Sequence, residues 1–437
     1  MPNANHPRNQ RPITVLHTAD WQLGKPFASV TDPMKRARVQ LERFEAIRRT
    51  TAIARDRQAS FVIVAGDLFD SPTPTHETIS AALGAIAEIG VPVFAIPGNH
   101  DHGGPDSLWE QEFFVREKSR LAPSFHLLDA RTPTNVALRD GGDGPRNVIL
   151  LPCPLLRRHE PDDPTAWIRD LDFSAFGDAP RIVIAHGSTM SFGAAAGHHH
   201  GDDDDQGGPT GTNTIAIDRL PLDEIDYIAL GDFHGPMAAG PKAAYSGTPE
   251  IDRFPKEGQE PGHVACVTVA RGAVPTVAAV RTGRFRWLTR EVNLDATGSD
   301  AADAYGPAYL DDVLTQATEP QSPGEPGFDG CLADVRLTGT VSLAGRVELD
   351  RVIESWQARL LRLDLADDVQ IAPTPDEIHD LTARPDDPII ARIATELVRR
   401  LEAGEAGGDL EVVRQALHIL HGLAHTTNTT STGAANA

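Results

Sequence analysis

The sequence predicts an α/β chain: a layered sandwich domain, a second, smaller α+β domain and a helical C-terminal tail. Three observations carry this expectation. Short apolar runs alternate with stretches of helical periodicity from Ile13 to Leu230. Those runs end, one after another, in clusters of Gly, Asp, Asn and His. From about Gly262 the texture changes, to further strands, a Pro/Gly-rich break at Pro320 to Gly330, and then helices.

Taken in order, residues 1–11 are polar and read as a disordered N-terminus. Ile13 to Thr18 is the first strand, and Asp20 to Phe27 the loop after it. Pro33 to Arg57 reads as a helix, with Met34, Ala37, Leu41, Phe44 and Ile47 recurring three or four apart. Its other face is basic: Lys35, Arg36, Arg38, Arg43, Arg48, Arg49, Arg55 and Arg57. A solvated face is the preferred account of this stripe, over a contact with a phosphate backbone. Ser60 to Ala65 is a buried strand. A helix from His76 to Ile89 is stopped by Gly90. The strand Val91 to Ile96, a helix over Asp106 to Ser119, and strands at Asn147 to Leu151, Arg181 to Ala185 and Tyr227 to Leu230 follow. Residues 193–213 interrupt the pattern with Gly, three successive His (198–200) and four successive Asp (202–205). A His tract can bind metal, but a flexible surface insertion is preferred, because nothing flanking it is apolar enough to order it.

Beyond Gly262, Val264 to Val269 and Val274 to Val280 read as strands. Arg281 to Val292 alternates, with Phe285 and Trp287 on one face and Arg284 and Arg286 on the other. Such a strand can stack single-stranded nucleic acid; a half-buried strand with core aromatics is preferred. Ala333 to Thr340 is a strand, Val347 to Leu361 a helix and Leu363 to Ile371 a strand. Pro373 to Pro388 reads as a linker, Ile389 to Ala403 and Leu410 to His425 as helices, and Thr426 to Ala437 as disordered. The expected divisions are therefore residues 12–257, 258–372, and a 373–437 tail of linker, helices and disordered end.

Bulk properties narrow the function. The chain has 437 residues, 40% of them hydrophobic and 23% charged, as in soluble globular proteins of two or three domains. A net charge of -22 argues against a broad, non-specific nucleic-acid coat. It leaves room for a local basic track, or for a metal site that itself neutralises phosphate. Cys153, Cys266 and Cys331 are well separated, with no Cys-x-x-Cys, which fits a reducing compartment without a disulfide framework. The N-terminus has no apolar signal core, and no apolar run approaches the roughly 20 residues of a membrane helix. The expected address is the cytoplasm, with no membrane partner.

The chemistry lies in the strand-end clusters: Asp20-Trp21-Gln22, Gly66-Asp67-Leu68-Phe69-Asp70, Gly98-Asn99-His100-Asp101, Ala185-His186-Gly187 and Gly231-Asp232-Phe233-His234. In open α/β sheets, sites are built at the carboxyl ends of strands. A buried carboxylate is expensive unless it is paired or binds a cation. Phosphoester hydrolysis needs an activated water and neutralised charge, and two cations about 3.5–4 Å apart do both. Asp67, at the end of the central strand, is the natural bridge. Asp20 and His234 could serve one ion, and Asn99, His186 and Asp232 the other. Mixed Asp/Asn/His ligation without Cys suits Mn²⁺ best, with Mg²⁺, Fe²⁺ or Zn²⁺ as alternatives. His100, beside Asn99, is the candidate general acid, with Asp70 as its orienting partner. His17, His76 and His102 are read as non-ligands. Singly, each cluster has an ordinary explanation as a helix cap, a turn or a satisfied core histidine. Five together, all at strand ends, do not.

In this order the motifs resemble those of the calcineurin-type metallophosphoesterases, and within them the Mre11/SbcD nuclease branch. The residues that carry the likeness are Thr18-Ala19-Asp20-Trp21-Gln22-Leu23-Gly24, Gly66-Asp67-Leu68-Phe69-Asp70, Pro97-Gly98-Asn99-His100-Asp101 and Tyr245-Ser246-Gly247-Thr248-Pro249. The resemblance covers residues 13–255. It implies a four-layer α/β metallophosphoesterase sandwich with a capping domain, a binuclear metal centre, a DNA exo- or endonuclease acting in repair, an SMC-like ATPase partner of the Rad50/SbcC type bound through the C-terminal region, and a homodimer. The chain departs from the branch twice. Gln22 stands where a His is usual, and offers a weaker amide-oxygen ligand. Asp232 stands at the first His of Gly-His-x-His, and as a harder anionic ligand favours Mn²⁺ or Mg²⁺. Two other functions remain open: hydrolysis of nucleotides or other small phosphoesters, and a degenerate, non-catalytic protein that binds an ATPase.

Overall fold

The computed structural model describes residues 11–138, 146–189, 211–255, 259–295, 306–322, 324–403 and 409–432. The chain divides into two units, Met1–Phe285 and Arg286–Ala437. The expected insertion falls largely on residues 190–210, outside the described residues. Its last member, Asn213, is anchored: its side chain accepts from the Glu160 amide and donates to the Arg158 carbonyl.

The first unit begins β1 (Ile13–Thr18), α1 (Pro33–Asp56), β2 (Phe61–Ala65), α2 (His76–Ala87), β3 (Val93–Ile96), α3 (Glu112–Leu121) and β4 (Phe125–Leu127). Then come β5 (Thr134–Leu138), β6 (Arg146–Cys153), β7 (Arg181–His186), β8 (Ser188–Thr189), β9 (Thr214–Ile215), β10 (Tyr227–Gly231), β11 (Met237–Gly240), β12 (Ala243–Tyr245), β13 (His263–Val269) and β14 (Thr276–Arg281). Two six-stranded sheets form, in the orders β14-β13-β1-β2-β3-β4 and β11-β12-β10-β7-β6-β5. The inner strands β1 to β4 run parallel, as do β6, β7, β10 and β12. Their crossovers therefore need helices or long loops on the outer faces.

Side-chain alternation builds the layers. In β2, Phe61, Ile63 and Ala65 join Ile182, Ile184, Tyr227 and Ala229 between the sheets. Val62 and Val64 face the helix layer, with Ile47, Ile79, Leu83 and Phe114. Val183 and Leu230 point the other way, into an outer layer of short 3₁₀ turns that includes Ile168. The layers run helices, sheet, sheet, turns. Between the sheets, His17 pairs through Nδ1 with the Tyr227 hydroxyl at 2.8 Å. Burial lowers its pKa to about 3, so it sits there neutral, as a core residue.

Three sequence expectations change. The helix α1 buries Val39, Glu42, Arg43, Ala46, Ile47, Thr50 and Ala54, while Met34 and Leu41 are exposed. The buried face is rotated because Arg43 and Arg49 have inward partners that periodicity does not reveal: main-chain oxygens, Glu42 and Glu250. Second, β13 and β14, expected in the second domain, extend the first sheet, with β13 pairing antiparallel to β1. The boundary thus moves from 257/258 to 285/286, because the edge of β1 opposite β2 needs a hydrogen-bonding partner. Third, the expected linker 373–388 contains a helix, Pro375–Thr382, started by a capping box between Thr374 and Glu377.

The second unit opens with β15 (Arg286–Asp295), α4 (Pro307–Thr318), β16 (Cys331–Val341), α5 (Leu343–Arg359), β17 (Arg362–Asp367) and β18 (Gln370–Ile371). Its strands pair in parallel, β15-β16-β17, with β18 beside the end of β16. Phe285 and Trp287, the alternating aromatics, are buried. The helices α6 (Pro375–Thr382), α7 (Pro388–Ala403) and α8 (Asp409–Thr432) follow. The last of these runs beyond His425, where the sequence reading ends it. No helix among the described residues is long and apolar enough to cross a membrane.

Candidate metal centre

Strand order converts distant clusters into neighbours. Because β1, β2 and β3 lie side by side and parallel, the loops bearing Asp20, Asp67 and Asn99-His100-Asp101 leave the same edge of one sheet. In the facing sheet, His186 pairs in register with Gly231, one residue before Asp232. Asp20, Asp67, His186 and Asp232 therefore meet across the sandwich. Asp20, Asp67 and His186 are all buried, and each offers one ligand atom within 4.8 Å of the others.

The backbone is bent to make this approach. Asp20, Gln22, Asp67 and Asp232 have φ of 54°, 41°, 56° and 105°, a region that side chains rarely adopt. Such conformations cost of order 1–3 kcal/mol each, and cluster where a site demands them. Two glycines make room. A Cβ at Gly66 would collide with the His186 ring, and one at Gly98 with the Asp67 carboxylate.

Hydrogen bonds define which atoms face inward. His186 Nδ1 lies 2.8 Å from the Ala65 carbonyl, so Nδ1 carries the proton and donates it. Its Nε2 then faces the Asn99 amide oxygen at 3.0 Å and the Asp67 carboxylate at 3.4 Å, with Asp232 at 3.9 Å. A lone pair facing three acceptors is repulsive unless a positive charge stands among them. Without a metal, a proton fills that need. Burial works against a charged His186, but Asp67, Asp20 and Asp232 hold its pKa well above the ordinary range. Burial likewise pushes the Asp20 carboxyl well above its usual range; His186 opposes this, and Asp67 and Asp232 add to it. For Asp67 burial is outweighed by His186 and His100, and its carboxyl is lowered. This donor set fits a divalent cation: hard oxygens plus one imidazole whose far nitrogen is held by a backbone carbonyl.

The remaining expected residues divide. Asp232 takes the Ser188 hydroxyl at 3.1 Å, and its amide donates to both Asp20 oxygens at 3.1 Å. The His100 amide donates to Asp67 at 2.9 Å. His100 Nδ1 donates to Asp70 at 2.8 Å, but to the main-chain oxygen rather than the carboxylate. Gln22 and His234 stand in different surroundings. The Gln22 side-chain oxygen accepts from Lys25 at 3.4 Å. His234 Nδ1 donates to Asp252 at 2.9 Å, and its Nε2 accepts from Arg253 at 3.4 Å. Lys25 and Asp252 form a buried ion pair at 2.9 Å. Burial and then Arg253 lower His234 to about 4.

Several supporting residues escaped the sequence reading. Buried Asp101 accepts from the amides of Gly98, Leu68 and Phe69 at 2.7, 2.7 and 3.1 Å, tying the Asn99 loop to the Asp67 loop. Buried Arg43 donates to the carbonyls of Asp20, Trp21 and Glu250 and to the Thr248 hydroxyl. Asp101 sits inside a motif, so a signal existed. Arg43 was hidden in a basic stripe. Lys25, Asp252 and Arg253 carried no signal of their own.

A family model for the calcineurin-like phosphoesterases matches residues 13–236, the span that carries all five clusters. The chain belongs to that family. That family is one of phosphoesterases that use divalent metals. It is 28% identical over 281 residues to the SbcD component of nuclease SbcCD of Bacillus subtilis, covering 59% of this chain and 66% of that protein. It is 31% identical over 131 residues to the metallophosphoesterase YhaO of the same organism, covering 25% of this chain and 32% of YhaO. It is 34% identical over 94 residues to the DNA double-strand break repair protein Mre11 of Methanosarcina mazei, covering 21% of this chain and 14% of that protein. The chain thus spans less than two thirds of the length of these relatives.

Proposed function

We propose that this phosphoesterase is a metal-dependent phosphodiesterase acting on DNA, a nuclease of the SbcD and Mre11 kind. One observation carries the metal-dependent part of this reading: the lone pair of His186 turned toward Asn99 and Asp67 in a buried cluster with Asp20. The choice of DNA as substrate is supported by the names of the SbcCD and Mre11 relatives. A divalent ion bound by Asp20, Asp67, Asn99, His186 and Asp232 would polarise a phosphoryl oxygen and activate water; Mn²⁺ suits this set best. The protein's own contribution is positional. Asp67 is oriented by the His100 amide and set on a loop clamped by Asp101. With its Nδ1 proton given to the Asp70 carbonyl, His100 would deliver a proton to the leaving oxygen from Nε2. An SMC-like ATPase partner and a homodimer, which the motif resemblance implies, extend the reading; the name of the SbcCD relative, one subunit of a complex, supports a partner subunit.

The test is Mn²⁺-dependent digestion of end-labelled single- and double-stranded DNA, with Asp67→Asn as control. Cleavage that depends on Mn²⁺ and is lost in the variant is expected. DNA left intact while a mononucleotide phosphodiester is hydrolysed would move the substrate to small phosphoesters. The net charge of -22 favours that second reading, because an acidic chain disfavours non-specific polyanion contact.

A further inference from the structure

The expected ligands fall into two groups that differ in what already faces them, and Asp20, expected to share an ion with His234, clusters with Asp67 and His186. On the Asp20, Asp67 and His186 side, acceptor faces acceptor, and no Lys or Arg contact to these side chains is seen among the described residues. On the other side, the atoms that would complete a second ion's shell beyond the shared Asp20 and Asp67 carboxylates are Gln22 Oε1 and His234 Nε2. Both already accept from protein cations, Lys25 at 3.4 Å and Arg253 at 3.4 Å. Those cations are held in turn by Asp252, which is almost fully buried and lies 2.9 Å from Lys25 and 3.3 Å from Arg253. A second dication among an ammonium and a guanidinium would meet like charge within a few ångströms in a low dielectric. The donors present do not fit a second ion there.

We propose that the centre is asymmetric: one divalent ion on the Asp20/Asp67/His186 side, with Lys25 and Arg253 standing in place of a second. This rests on the reading of the buried cluster as a metal site, and revises the binuclear expectation from the sequence. Arg253, whose side chain is 43% exposed, is then also the cation positioned to meet a substrate phosphate beside the ion. The departure at Gln22 follows from the same arrangement. Its amide oxygen accepts from the Lys25 ammonium at any pH, whereas an imidazole would do so only in its neutral form.

The experiment counts Mn²⁺ bound to the full chain by equilibrium dialysis and reads it by electron paramagnetic resonance. The wild type is expected to retain roughly one tight ion with the spectrum of an isolated Mn²⁺. Arg253→Met, and separately Lys25→Met, should raise the count toward two and bring in the spectrum of a spin-coupled pair. If Lys25→Met fails to fold because Asp252 loses a partner, the half-exposed Arg253→Met still decides. A wild type that takes up two ions of similar affinity as a coupled pair overturns the proposal while leaving phosphodiesterase function standing. Both variants remaining at one ion overturns the role given to the two cations. A wild type that retains no ion overturns the metal-site reading itself, and this inference with it.

Discussion

The His186 and His234 sides of the site use the same residue types to opposite effect. His186 is surrounded by acceptors, and its pKa rises; His234 is near Arg253 and Lys25, and its pKa falls to about 4. The His186 ring is buried and the His234 ring largely so, and burial disfavours the charged form of each. At His186 three carboxylates outweigh burial, whereas at His234 burial, helped by Arg253 and Lys25, outweighs the single carboxylate of Asp252. An Asp/His cluster therefore announces a metal position only when the protein supplies no cation of its own.

The comparison can be broken by mutation, and the largest effects belong to the acceptor-lined side. Asp67→Asn removes the central carboxylate and should lower phosphodiester hydrolysis about 10³-fold or more, whereas Gln22→Ala should cost about tenfold or less. Equal losses in steady-state assays of the two variants would erase the distinction. His100→Ala should reduce kcat about 10²–10⁴-fold with a poor leaving group and much less with nitrophenolate, because only the former needs a proton. A loss independent of the leaving group would remove His100 from proton transfer.

Stability gives the next scale. Asp101→Ala strands three buried amides and should destabilise the first unit by about 2–4 kcal/mol. Chemical denaturation reads this directly, and a change below about 1 kcal/mol would show that the loops do not depend on the clamp. The smallest effect is a pH dependence. The Asp20 carboxyl is raised by burial, so in the metal-free protein it keeps its proton to higher pH than an ordinary carboxyl. An incoming ion must displace that proton, and Mn²⁺ affinity should fall as the solution is acidified. Burial also opposes ionisation of Asp252, but Arg253, His234 and Lys25 outweigh it and hold its pKa well below the usual range. Its stabilising charge is complete above the unfolded carboxyl pKa and is lost only as pH falls through the depressed folded value. Across neutral and mildly acidic pH the Lys25–Asp252 pair therefore persists while the ion loosens. Calorimetric Mn²⁺ titrations that are flat with pH would contradict this.

Much of this arrangement was legible in the chain. Apolar runs ending in Gly-Asp, Gly-Asn-His-Asp or Ala-His-Gly have one physical reading each, a buried strand delivering polar groups at its carboxyl end. Their order along the chain indicated the α/β sandwich and nominated Asp20, Gln22, Asp67, Asn99, His186, Asp232 and His234 as ligands. Local periodicity was less reliable in α1, where Arg43 replaces an apolar residue on the buried face and satisfies main-chain oxygens more than 20 positions away. Helix spacing cannot report a partner outside the helix.

What the sequence determined by itself was therefore the set of strands, the series of polar ends and the family they indicate, because each depends on residues that are neighbours in the chain. Tertiary structure alone decided that β13 closes onto β1, and that Lys25 meets Asp252 across 227 positions. It also decided that Gln22 and His234 face cations while His186 faces acceptors. Those pairings are set by which surfaces remain unsatisfied once the sheets have packed, and that condition exists only in the folded chain.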